Sequence, residues 1–462
     1  MTRSAGRPAG RGGALGALVL GAVVATAGVA GCGSWTRVGS QERGPEPAQQ
    51  LTQLLDLPAY YKRIGRLAAG DPLPFVGSIA FAEGAGDTVI TVLGLSLENR
   101  ALNFQKEGNG FAARYHVDIA FERPGTTPVT VSRDETVRVA TFQETQRADE
   151  SILFQQVFKL LPGPYHVRVA LRDPATTNAS RAERDVTAPA FGPATTSAPI
   201  LVYQATGRSQ PGDPLQVVLN SRGTLAYGGD TLLAYVEGYR FTQPTTVPFE
   251  VRTEDDSVVY ADSLHFHGGR AVESQVIRLA PDSIALGELK LAVGHDSTRQ
   301  VSALVSFSAG WVVTNFDQML DFLRYFGQDA MIARMRKAPP AERAVLWRQF
   351  WRATDPDPTT PENEAISAYI ARVAIANQRF RDEAVAGWRT DRGEVFITLG
   401  EPDESFETSP GQTQRVVRWS YTSLRLTLLF VDETGFGRYR LTPASRAEYE
   451  RVLTRERARA RS

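Results

Sequence analysis

The chain of 462 residues contains one cysteine, Cys32. An intrachain disulfide, a thiolate zinc site and a Cys–His nucleophile in the body of the chain are therefore excluded, and the fold must rest on packing alone. Histidine is scarce too: there are five and none lies beyond His295, so imidazole chemistry is excluded from the C-terminal third. Lysine accounts for five of the 51 basic residues, an arginine bias that by itself selects no ligand. The formal net charge is zero and no basic stripe runs through the body. That argues against nucleic acid as a partner, because binding a polyphosphate needs a sustained excess of Lys and Arg. EF-hand, Walker, HExxH and GxSxG strings are all missing.

What is present begins at the N-terminus. Arg3, Arg7 and Arg11 precede an uncharged run over residues 14–31 that ends in small residues, the layout of a secretory signal. Val29-Ala30-Gly31-Cys32 resembles a lipobox, which implies lipid transfer to the Cys32 sulfur and cleavage before it. An uncleaved anchor helix is the rival, weakened by Gly16, Gly21, Gly28 and Gly31. The expectation is a signal peptide over 1–31 and a tether over 32–50. The remainder would lie outside the cytoplasm, attached to a membrane through its N-terminal lipid and placed at the outer membrane or cell surface.

Beyond a short helical stretch, alternating segments broken by Gly, Pro and Asp predict a β-sandwich over 51–187. A linker over 188–198 and a second sandwich over 199–310 follow. Each series closes alike, Phe158–Leu171 and Ile277–Val293 both placing a strand, a Pro-containing corner and another strand. This resembles the closing hairpin of immunoglobulin-like sandwiches. From Phe316 the apolar period becomes helical, and strands return at Glu394–Leu399, Val416–Tyr421, Leu424–Val431 and Arg438–Leu441. The fold class is thus multidomain and mainly β: two tandem immunoglobulin-like sandwiches, then an α+β module over 311–445 with an antiparallel sheet. A charged, solvated tail helix over 446–462 completes it.

The most distinctive string is Gly387-Trp388-Arg389-Thr390-Asp391-Arg392-Gly393, followed by Gly400-Glu401-Pro402-Asp403. Upstream stand Phe350-Trp351 with Asp355-Pro356, and Thr360-Pro361-Glu362-Asn363-Glu364; downstream stand Phe430-Val431-Asp432 and Gly435 to Tyr439. Together these resemble the GWxTD-domain family over about 350–442, with Glu401 departing from the small residue or proline usual before Pro402. The resemblance implies a fold and no reaction.

Two readings compete for these residues. In the structural one, Trp388 is a buried anchor, Gly387 and Gly393 supply positive φ, and Thr390 and Asp391 cap a turn. Thr360, Pro361 and Glu362 start a helix. In the functional one, Asp355, Asp357, Glu362, Glu364, Asp391, Asp403 and Asp432 share an acidic face beside Arg389 and Arg392, serving acid/base chemistry or a hard cation. No spacing selects a catalytic pair, and neither a cofactor nor a metal is implied. His265 and His267 share a strand face but lack a third ligand. The expected role is a lipid-anchored binding or assembly module of the cell envelope, with an envelope protein or glycan as partner. The alternative is a carboxylate-dependent hydrolase of envelope polysaccharide or peptide.

Overall fold

The computed structural model describes residues 57–459 apart from 148–151, 230, 282–283, 297, 309–312, 361–362, 383–384, 408–414 and 433. The expected signal peptide, Cys32, the whole of the tether, Pro361 and Glu362 lie outside the described residues. A short helix, Leu57–Arg63, leads into the first sandwich. One of its sheets is antiparallel in the order β1 (Leu67–Ala69), β2 (Phe75–Glu83), β3 (Val89–Leu97), β7 (Ile152–Leu160). The other contains β4 (Gln105–Glu107), β5 (Gly110–Glu122), β6 (Val129–Val139), β8 (Gly163–Arg172) and β9 (Ala179–Ala188). Alternate residues such as Tyr115, Val117, Ile119 and Phe121 on β5 face Leu93, Leu95, Phe154 and Phe158 across the core.

The second sandwich pairs β10 (Thr195–Thr196), β11 (Ile200–Thr206), β12 (Gln216–Leu219), β14 (Leu232–Tyr239) and β17 (Val272–Leu279) in one sheet. The opposite sheet contains β13 (Thr224–Ala226), β15 (Thr245–Thr253), β16 (Val258–Phe266), β18 (Gly287–Val293) and β19 (Gln300–Ser306). The pairing scheme repeats. As β3 pairs β7, β14 pairs β17; as β5 takes β6 and β8 and β8 takes β9, β15 takes β16 and β18 and β18 takes β19.

The segments expected as closing hairpins are instead arches between sheets. β7 pairs with β3 while β8 pairs with β5, and β17 and β18 are separated in the same way. Pro162 has no N–H to donate, and Gly163, at φ +133°, turns the chain across the core; Gly287, at φ +110°, opens β18 similarly. The Tyr165 hydroxyl closes the first corner by donating to the Leu161 carbonyl at 3.0 Å, the tyrosine corner of immunoglobulin-like sandwiches.

Strand alternation fails where a sheet is covered on both faces: every residue of β3 is buried. Its outer face, with that of β2, packs Ala80, Ala82, Ile90 and Val92 against Ile200, Val202, Val217, Leu219 and Tyr235 of the second sandwich. The two sandwiches therefore stack as four layers, and each fully buried Val, Leu or Ile in the seam contributes about 1.5–3 kcal/mol. Gly94 is required by this approach, since a Cβ there would lie 2.6 Å from Ser221 Oγ and 3.0 Å from Leu219.

A buried polar network locks the seam. Arg208 grips Glu237 with Nε–Oε1 at 2.6 Å and Nη2–Oε2 at 2.7 Å, and Nη2 also donates to the Glu83 carbonyl of the first sandwich at 2.6 Å. The Tyr235 and Tyr239 hydroxyls donate to the two Glu237 oxygens at 2.6 and 2.8 Å. With every Glu237 oxygen engaged, the fully buried carboxylate is compensated.

In the C-terminal module, helices Phe316–Phe322, Asp329–Lys337, Pro340–Thr354, Glu364–Arg379 and Asp391–Leu399 precede and pack on an antiparallel sheet. Its order is β20 (Glu404–Glu407), β21 (Arg415–Tyr421), β22 (Leu426–Asp432), β23 (Tyr439–Leu441). Helix Pro443–Arg459 docks on the module through buried Tyr449 and Val452, so it is not the solvated tail expected. The core of this module continues into the second sandwich: the Phe307 ring centroid lies 4.5 Å from that of Trp347 and 5.4 Å from that of Tyr227. Among the described residues no helix is long and apolar enough to cross a membrane.

Candidate functional site

The residues after Trp388 fold differently from their strand-like pattern. Asp391–Leu399 is an α-helix, because the Thr390 hydroxyl accepts from Gly393 N at 3.1 Å and caps the first turn, while Gly400 at φ +85° ends the last. The short run Val395-Phe396-Ile397-Thr398-Leu399 satisfies either period, and the cap decides. The expected positive φ at Gly387 and Gly393 is likewise corrected: neither has it. They are glycines because backbones touch. A Cβ on Gly393 would lie 2.0 Å from the Gly387 carbonyl oxygen, and one on Gly387 would lie 2.5 Å from that of Ala376 and 2.6 Å from that of Asn377.

Trp388 fills the space this contact frames. It is 1% exposed, its ring lies edge-on to Phe322 at 5.3 Å, and the Arg389 guanidinium covers it at 4.7 Å. Arg392 lies over Tyr439 at 4.1 Å and near Phe380 at 5.4 Å. Burial pulls its guanidinium below the usual arginine range, though the Tyr439, Glu407 and Asp432 charges oppose that.

Asp391 ties the capped helix to the sheet. Its Oδ2 accepts from Leu441 N at 2.8 Å, and its Oδ1 takes Arg440 at 3.2 Å and Arg446 at 3.1 Å. Nothing in the sequence pattern marks Arg440 and Arg446 as its partners, since they are 49 and 55 residues away and meet it only through the strand and the docked helix.

The remaining acidic residues are each engaged locally. Asp355 accepts from Asp357 N at 3.1 Å, and Asp357 Oδ1 from Thr359 N at 3.1 Å. Glu364 Oε1 accepts from the Thr360 hydroxyl at 2.6 Å, and Asp403 from Thr422 N at 2.6 Å. The helix start expected at Thr360 lies three residues later, at Asn363. Its side chain caps Ile366 N at 2.9 Å and donates to the Trp351 carbonyl at 2.9 Å, clamping two helices together. Glu401, at the position that departs from the family pattern, forms a two-contact ion pair with Arg379.

Asp432 is 2% exposed. Burial alone would raise its pKa, but hydrogen bonds from Gly437 N at 2.7 Å, Gly435 N at 3.0 Å and the Thr434 hydroxyl at 3.0 Å hold it below the usual carboxylate range. Asp391 and Asp432 both abut β23, but through separate hydrogen-bond sets, and the single acidic face expected from the sequence is not formed. None of the four clefts described takes in Asp355, Asp391, Asp403 or Asp432. Among the described residues no three His, Cys, Asp or Glu side chains are grouped to hold a metal ion. His265 meets Thr246 Oγ1 at 3.1 Å, and His267 lies 3.4 Å from Glu273.

A helical layer on a four-stranded antiparallel sheet, knotted together at a Gly-Trp turn and an Asp-to-strand clasp, defines the C-terminal module as a class. Residues 291–455 match the family model described as the GWxTD domain, so the chain carries a GWxTD domain from β18 to its last helix. No curated protein matches the chain. Among solved structures, the chain is similar to the calcium binding domain CBD12 of CALX1.1 at 9% identity, covering 58% of this chain and 93% of that one with a TM-score of 0.13. A structure named pT26-6p is 7% identical, with 76% and 88% covered and a TM-score of 0.15. At those scores neither likeness bears on fold or function.

Proposed function

We propose that this chain is an exported, lipid-anchored binding or assembly protein of the cell envelope. Residues 1–31 would direct export, Cys32 would carry the lipid, the stacked sandwiches would act as a stiff spacer, and the GWxTD domain would present a surface to an envelope protein or glycan. One observation carries the reading: the carboxylates of the GWxTD string are held by backbone N–H groups, hydroxyls and arginines that build the fold. A hydrolase needs two acids converging on one cavity with separated pKa values. Here they are distributed over a helix, turns and a strand end. The test is crosslinking in envelopes of the native host, beside fractionation of the Cys32→Ser variant. The reading expects a specific crosslinked protein or glycan and release of the variant from membranes. A variant that still sediments after a high-salt wash would refute the anchor, and glycan or peptide cleavage lost in Asp391→Asn would refute the binding role.

A further inference from the structure

The largest of the clefts described, about 1050 Å³, lies between the two sandwiches and is bordered by both. Its three carboxylates already have cations. Glu288 lies 3.2 Å from Arg63, Asp185 is 2.7 Å from the His166 ring, and Asp296 is 3.5 Å from Arg299. Two arginines on the same wall are left over. Arg66 is 8% exposed; its Nη2 donates to the Ser302 carbonyl on β19 at 2.8 Å, while its buried Nε has no partner. Arg184 on β9 makes no hydrogen bond or ion pair among the described residues, and its Nη2 would lie 3.0 Å from a Cβ on Gly65, the residue before Arg66. Burial and the neighbouring Arg184 charge push the Arg66 pKa down to about 10. Two guanidinium groups bordering one cleft without a carboxylate partner, one of them buried, oppose each other's charge and leave the buried Nε of Arg66 unsatisfied.

We propose that Arg66 and Arg184 form the head-group site for an amphiphilic anion, gripping its phosphate or carboxylate between them while its apolar part lies along Ile79, Phe81 and Phe191. These three side chains are half-buried and line the same cleft. An oxyanion with several lone pairs matches the planar forks of two arginines and relieves their repulsion. The site comes from both sandwiches: Gly223 leaves room for Arg66, since a Cβ there would fall 2.2 Å from its Nη2. The proposal rests on the reading of this chain as a binding module, but not on its anchor.

The test is calorimetric titration of the purified full chain with inorganic phosphate, octyl phosphate, octanoate and uncharged octyl glucoside. At least one octyl anion should saturate about tenfold or more tighter than inorganic phosphate, and the stronger of the two identifies the head group. Octyl glucoside should not compete. Arg184→Gln should weaken that anion about tenfold and, without ligand, melt no lower than the parent, because it removes a like-charge contact. Failure of both octyl anions to saturate, equal binding of octyl glucoside, unchanged affinity in Arg184→Gln, or a lower melting temperature of that variant without ligand would each overturn the proposal. A failure here leaves envelope crosslinking and Cys32→Ser release to stand or fall separately.

Discussion

A single methyl group tests the physical reading of the GWxTD string. Gly393 lies in the first turn of helix Asp391–Leu399, where replacing Gly by Ala ordinarily stabilises by up to about 1 kcal/mol. Here the added Cβ would stand 2.0 Å from the Gly387 carbonyl oxygen and 3.0 Å from the Trp388 Cα, against ordinary contact from 3.4 Å. Both obstacles are backbone, which cannot rotate aside as a side chain would. The cost therefore falls at or above the top of the overpacking range, about 3 kcal/mol. Set against the propensity gain, Gly393→Ala should destabilise by about 2 kcal/mol or more, which lowers the melting temperature of a domain this size by about 4–8 °C. Thermal unfolding followed by near-UV circular dichroism reads it through the loosened Trp388 packing. Gly212→Ala, where the nearest neighbour is the Ala85 Cβ at 4.0 Å, is the control and should change little. A Gly393→Ala protein that melts at or above the parent would refute the backbone-contact argument.

Arg208→Met should cost about 3–5 kcal/mol in urea unfolding, because it strands the Glu237 carboxylate inside the seam; a loss below about 1 kcal/mol would mean that the network is not uniquely ordered. Asp391→Asn should destabilise by about 1–3 kcal/mol through its contacts with Leu441 N, Arg440 and Arg446. An unchanged melting temperature with abolished complementation in the host would instead make Asp391 a functional group. Asp432 has a depressed folded pKa, so its contribution is present above the unfolded value of about 3.9 and is lost as pH falls through the folded one. The protection of the Gly435 and Gly437 amides, taken as exchange relative to the intrinsic rate at each pH, should fall as Asp432 is protonated, and Asp432→Asn should abolish that pH-dependent loss.

The sandwiches were legible in the sequence because most of their strands keep one wet face: β8 alternates between buried and more open positions along its length. Stacking was not legible, since β3 is buried throughout and its sequence shows no alternation to read. The arches at Pro162 and Gly163 look like a hairpin because a turn and a crossing between sheets use the same residues; only the partners β3 and β5 tell them apart. Of the candidate site, the buried Trp388 and the importance of Gly387 and Gly393 could be anticipated from size and spacing. Their reason could not, because a backbone contact between residues 387 and 376 leaves no periodic trace. The Arg66 and Arg184 pair was invisible for a similar cause: arginines 118 positions apart carry no signal until β9 and the turn leading into β1 bring them to one wall.

The stacked seam has a consequence for how the chain comes into being. The first sandwich can close its own core once β9 has formed, but Ala80, Ala82, Ile90 and Val92 then face outward with nothing over them. The strands that cover them, β11, β12 and β14, end only at Tyr239. Any chain that emerges N-terminus first thus passes through a stage in which a finished sandwich shows a bare apolar face flanked by the edge strand β7. Truncation between the sandwiches would freeze that stage and produce a protein that self-associates through the exposed face, and a chaperone that shields nascent chains would find its natural client in the interval before Tyr239 arrives.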